Sequence, residues 1–117
     1  MALDKLKVVR VDEVEPKRVE NASGTWIRVL IPGSEAPTFA MRLFEMEPGG
    51  HIELHSHPWE HEIFVLRGRV RIRVGDEIVE VGPRTAIYIP PNVPHEYWCV
   101  GDEKAEFICV IPNRPSA

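Results

Sequence analysis

Five histidines occur in this 117-residue chain, and four of them lie in one segment, Gly49-Gly-His-Ile-Glu-Leu-His-Ser-His-Pro-Trp-Glu-His-Glu62. The fifth, His95, follows the stiff stretch Pro90-Pro-Asn-Val-Pro94. His55 and His57 are two residues apart, so on an extended chain both imidazoles project to one side. Pro58-Trp59 interrupts that strand. His61 opens the next, and the apolar run Ile63-Phe-Val-Leu66 behind it ties the cluster to the core. Neutral imidazole suits Zn, Cu, Fe and Ni and, less selectively, Mn. The pattern His-x-His-x-x-x-His, with a distant histidine after a proline loop, therefore points to metal binding. His51 shares the parity of His55 and His57, but it sits beside the Gly-Gly turn and reads as a satisfied ring.

Rings drawn from such distant positions must be held by strands. Period-2 alternation recurs along the chain and helical periodicity does not. The clearest case is Arg69-Val-Arg-Ile-Arg-Val74, with arginines on one face and aliphatics on the other. The arginine row reads as a solvated strand face rather than an anion ladder. Gly75-Asp76 is a two-residue turn, and residues 77–81 return. Further strands are expected at 5–11 (an edge strand), 25–31, 38–47, 52–57, 61–66, 85–89, 95–100 and 105–111. Each is bounded by Gly, Pro, Asn or Asp. With 11 prolines and 8 glycines there is no room for a long helix, so the fold is all-β, a sandwich or barrel. The chain reads as a single domain over 1–117, with a core barrel from about 24 to 112 and a frayed tail at 113–117.

Composition narrows the function. The chain is 44% hydrophobic and 27% charged, which is ordinary for a globular domain. Fourteen basic against eighteen acidic residues give a net charge of −4, without the basic excess of a nucleic-acid binder. No apolar run approaches a membrane span, and the first residues lack a signal-peptide core, so a cytoplasmic protein is expected. Cys99 and Cys109 are too few for a disulfide framework and read as buried free thiols.

At the histidines the chain resembles a cupin. Gly49, His55, His57, then His61 or Glu62, then Gly68 fall in the frame of the first cupin motif. Gly82, Pro90, Asn92 and His95 fall in the frame of the second, with Asn92 where the family has glycine. Asparagine tolerates a left-handed backbone, so that turn survives. The resemblance implies an antiparallel jelly-roll β-barrel. The family's metal-binding acid falls at position 61, which here is histidine. Strand parity puts His61 with Ile63 and Val65, and Glu62 with Phe64 and Leu66. The stretch from Ala36 to Gly68 is similar to small single-domain cupins of thermophilic microbes that bind manganese through four histidines. On that likeness His55, His57, His61 and His95 are the ligands. If Glu62 turns inward instead, the site is three histidines and one glutamate.

The resemblance implies one divalent transition metal, Mn2+ foremost, with Fe2+, Zn2+, Ni2+ and Cu2+ as alternatives. Four neutral imidazoles leave the full charge on the cation and two octahedral positions open. The expected function is a dioxygenase or peroxide-using oxidoreductase acting on a small organic molecule. The alternatives are an isomerase or lyase using the metal as a Lewis acid, and a non-catalytic small-molecule binding module. Glu53 shares parity with His55 and is a candidate to orient its ring, although a solvated carboxylate is its ordinary role. Phe107, Cys109 and Ile111 are candidate pocket residues on the last strand. Arg42, Arg67, Arg69, Arg71 and Arg73 are candidate phosphate contacts, three of them facing solvent. A homodimer is expected through the strand at 5–11 and the apolar face of Ile108 and Val110.

Overall fold

The computed structural model describes residues 4–113, which form nine strands and one short 3-10 turn at Val11–Glu13. In chain order the strands are β1 Lys17–Arg18, β2 Ala22–Ile31, β3 Phe39–His55, β4 His61–Arg67, β5 Arg69–Val74, β6 Glu77–Val81, β7 Ala86–Ile89, β8 His95–Val100 and β9 Ala105–Pro112. Every pairing is antiparallel. The order β6-β5-β8-β3-β9-β4-β7 makes one curled, barrel-like sheet, with β2 along the other edge of β3. No helix among the described residues is long and apolar enough to cross a membrane.

Alternation decides which side is wet. Val70 and Ile72 of β5 are buried while Arg69, Arg71 and Arg73 are exposed. Val74 pairs with Glu77, so Gly75-Asp76 is the two-residue turn expected. The core joins Phe44, Met46, Ile52, Ile63, Val65, Ile72, Ile89, Tyr97, Phe107 and Cys109. Phe107 stacks between Phe44 and Tyr97, with ring centroids 5.2 and 5.6 Å apart. Gly68, between β4 and β5, has φ +75°, and a Cβ there would lie 2.5 Å from the Lys104 carbonyl oxygen. Only glycine fits that crossing.

Three sequence expectations are corrected. The segment 5–11 is not a strand: it pairs with no other strand, and Leu6 and Val8 are 91% and 81% exposed. It meets the body of the protein through polar contacts. Arg28 donates to the carbonyls of Val11 and Val14, and Lys7 pairs with Glu35. The strands expected at 38–47 and 52–57 are one strand, β3, which ends at His55. Pro48-Gly49-Gly50 does not break it but bulges, so that Thr25 pairs with Met46 and Ser23 with His51. Gly50 permits this because a Cβ would meet the Glu47 and Gly24 carbonyls at 2.9 Å. Along its first half β3 pairs with β9, and after the bulge with β8. Asn113, expected to fray, is anchored: its side-chain amide donates to the Gly33 and Ala36 carbonyls. The rest of the expected tail, 114–117, lies outside the described residues.

Candidate metal centre

A one-residue bulge builds the centre. Ile52 pairs with Tyr97 and His55 with His95, so β3 spends three residues where β8 spends two. The extra residue re-aims the strand end. Ile52 and His55 both face inward, whereas His51 faces out, stacked on Trp98 and 2.6 Å from the Glu96 carboxylate. The shared parity of His51 and His55 in sequence is therefore broken, and His51 takes no part in the cluster. His57 lies in the loop after β3, stacked on Trp59 at 4.6 Å, and its carbonyl accepts from the Asn92 N–H at 2.7 Å. Asn92 holds φ +67°, the left-handed turn expected of it. His61 and His95 are the first residues of β4 and β8.

These elements bring the four rings to one end of the sheet. One nitrogen from each of His55, His57 and His95 lies within 4.8 Å of the other two. His61 is outside that triangle but adjoins it, with its ring centroid 4.8 Å from His95 and 5.3 Å from His57. Glu62 is exposed, on the opposite side of β4. His55 donates from Nδ1 to the Glu53 carbonyl at 2.7 Å, and His95 from Nδ1 to the Val93 carbonyl at 2.9 Å. Each such bond fixes a tautomer and leaves Nε2 as a lone-pair donor. Glu53 thus orients His55, but through its backbone and not through the carboxylate.

His95 Nε2 and His61 Nδ1 are buried without a hydrogen-bond partner. Two orphaned ring nitrogens in rings only 1% and 4% exposed carry a desolvation cost that a metal would offset. The donor set is neutral imidazole. Desolvation lowers His57 to about 4 and His61 to about 3, with the neighbouring histidines and Arg42 adding to it. His95 is lowered by burial as well, partly opposed by its bond to Val93. These three are in the metal-binding form at neutral pH. The residues therefore fit a divalent transition metal.

Beside the rings lies a cavity of about 370 Å³, at the small end of ligand sites. Ile27, Phe44, Ile52, Tyr97 and Cys109 form its apolar wall, with Arg42 within and Arg18, Glu20 and Asn21 at one side. Of the three pocket candidates on β9, only Cys109 lines it. Phe107 lies behind Phe44 and Tyr97, and Ile111 packs against the core. Burial pushes the Cys109 thiol up despite Arg42, and pushes the Tyr97 hydroxyl up. The sequence reading missed Tyr97 and Phe44; their inward parity beside His95 and Arg42 was the available signal.

Residues 42–111 match the family described as Cupin domain. The chain is 32% identical to the polyketide synthase CurC of Streptomyces cyaneus, over 91% of this chain and 70% of that protein. It is 34% identical to a 1-methylthio-D-xylulose 5-phosphate methylsulfurylase of Rhodospirillum rubrum, but spans only 47% of that protein's length. Among solved structures, the polyketide cyclase RemF of Streptomyces resistomycificus superposes with TM-score 0.87 at 34% identity, covering 94% of this chain and 81% of that one.

Proposed function

This chain belongs to the cupin family, and from that premise we propose that it is an enzyme holding one divalent transition metal on His55, His57, His61 and His95. It acts on a small oxygenated molecule in the adjoining cavity. The observation that carries this reading is the triangle of His55, His57 and His95 nitrogens within 4.8 Å of one another, with His95 Nε2 buried and unpartnered and the His61 ring adjoining it. Mn2+ is the proposed metal, as in the four-histidine cupins that the sequence resembles. The bound cation supplies Lewis acidity, which polarises an oxygen ligand. The Glu53 and Val93 carbonyls hold the rings in their binding tautomers. Ile27, Ile52 and Phe44 keep the substrate's carbon skeleton away from water. Tyr97, whose hydroxyl burial keeps protonated, offers a hydrogen-bond donor in the same wall.

Two relatives that span more than nine-tenths of this chain are named for polyketide synthesis and cyclisation, which supports Lewis-acid chemistry on an enolisable carbonyl. The second reading, a dioxygenase or peroxide-using oxidoreductase, is favoured by the all-nitrogen donor set, which leaves the cation's charge intact for oxygen or peroxide. Protein loaded with Mn2+, Fe2+ or Zn2+ and offered small 1,3-dicarbonyl compounds separates the two. Conversion without oxidant, sustained by Zn2+, supports the Lewis-acid reading. Strict dependence on oxygen or peroxide and on a redox metal establishes the second. A protein that retains no metal after loading overturns both.

A further inference from the structure

Arg42 is a cation in the cavity wall with no anion among the described residues to answer it. It lines the same cavity as His55, His57 and His61. It is the cross-strand partner of Cys109, and its one side-chain hydrogen bond goes from Nη2 to the Cys109 sulfur at 3.1 Å. A thiol is a weak, neutral acceptor. The Arg42 Nε is buried with no partner at all. Phe44 lies beneath the guanidinium, 5.2 Å from its ring centroid, and holds the fork in place. Among the described residues, Arg28, Arg67 and Arg71 each pair with a glutamate, and Arg42 pairs with none. The cavity's one carboxylate, Glu20, is exposed and makes no ion pair with it. The residue is half-buried, and partly desolvating a guanidinium without a counter-ion carries a cost. Here the cost would deepen once a dication sits beside it on four neutral ligands.

We propose that Arg42 is the anion anchor of this pocket: the ligand is a small organic molecule carrying a carboxylate or phosphate, held by the Arg42 guanidinium with its reacting oxygen toward the histidines. The planar fork suits either oxyanion. The cavity of about 370 Å³ limits the ligand to a small molecule. The apolar wall of Ile27, Ile52 and Phe44 receives its carbon skeleton. This rests on the reading of the histidines as a metal centre, but the guanidinium is present with or without the metal.

The test is calorimetric titration of metal-free and Zn2+-loaded protein with oxalate, malonate, inorganic phosphate and the uncharged acetylacetone. Wild type, Arg42→Gln and Arg42→Lys are compared, with thermal melting to check folding. Arg42→Gln should weaken binding of the anions about tenfold to a hundredfold. Arg42→Lys should recover part of that loss and acetylacetone should be unaffected. Preference for phosphate over the carboxylates, or the reverse, identifies the oxyanion. Anion affinity within twofold of wild type in folded Arg42→Gln overturns the proposal. So does equal binding of acetylacetone and malonate by wild type. Elemental analysis reads the metal separately: Zn2+ lost from wild type refutes the metal centre, while the metal-free titrations still decide the role of Arg42.

Discussion

Replacing His61 by alanine tests whether the fourth ring is a ligand. The ring is 4% exposed, its Nδ1 has no partner, and its centroid lies 4.8 Å from that of His95. Removing even a group that orients a metal ligand weakens binding about 10- to 100-fold. Loss of the ring itself should cost at least that, about 1.4–2.7 kcal/mol. The metal-free fold should tolerate the change. An unsatisfied buried nitrogen carries a penalty of about 1–3 kcal/mol, which alanine removes, offsetting much of the packing lost. His61→Glu should restore binding, because a carboxylate oxygen also suits Mn or Fe. Glu62→Gln should bind within twofold of wild type, since Glu62 is exposed on the other side of β4. Metal-free variants are titrated with Mn2+ and Zn2+ against a chromophoric chelator, and retained metal is measured by elemental analysis. Loss of metal in Glu62→Gln with full retention in His61→Ala would refute the four-histidine set and return the site to three histidines and a glutamate.

Four further outcomes are expected. Saturation at a hundred times the dissociation constant adds about 2.7 kcal/mol to stability, so a chelator should lower the melting temperature by about 10 °C; no shift in calorimetry counts against a bound metal. In the metal-free protein His57 and His61 sit at about 4 and about 3 against an ordinary 6.5, so below pH 6.5 the unfolded chain takes up protons first. Stability is fully present above that pH and declines as the pH falls toward 3, for buried His61 by at most about 1.4 kcal/mol per pH unit; urea midpoints flat between pH 7 and 4 would contradict this. Gly68→Ala should destabilise by about 2–4 kcal/mol, because its Cβ would lie 2.5 Å from the Lys104 oxygen at φ +75°; a urea-midpoint loss under about 1 kcal/mol would show that the crossing relaxes. The outer face of β4, β7 and β9 exposes Phe64, Leu66 and Tyr88 beside Ile108, so we propose a homodimer through it, which light scattering should detect at micromolar concentration and Phe64→Glu should dissociate.

Where one face of a strand is buried and the other wet, its parity is legible from the residues. β4 and β5 are legible in this way, as are the inward turn of His61 and the outward turn of Glu62. Segment 5–11 alternates no worse than a real edge strand. What it lacks is a partner, and pairing is a property of the whole sheet rather than of the segment. Pro48-Gly49-Gly50 carries the same ambiguity. The signature that ends a strand elsewhere here opens a bulge, because β2 stays paired on both sides of it. Local chemistry gives the bend but not whether the ladder survives it.

The site was legible to the extent that its chemistry resides in side chains of distinctive type. Histidine is scarce in this chain, so its clustering carries information. The remaining parts are made of common groups in uncommon places. The carbonyls of Glu53 and Val93 set the tautomers of His55 and His95, and any residue has a carbonyl. A one-residue slip between β3 and β8 turns His55 inward and leaves His51 outside, against their shared parity. Arg42 is one of several arginines in the sequence, and nothing local marks it off from Arg69, Arg71 or Arg73. Its distinction comes from the pairing of β3 with β9, which sets its fork against Cys109 and over Phe44 while every acidic partner stays out of reach. An unanswered charge is a statement about what is missing nearby, so it becomes visible only when the fold has fixed all the neighbours.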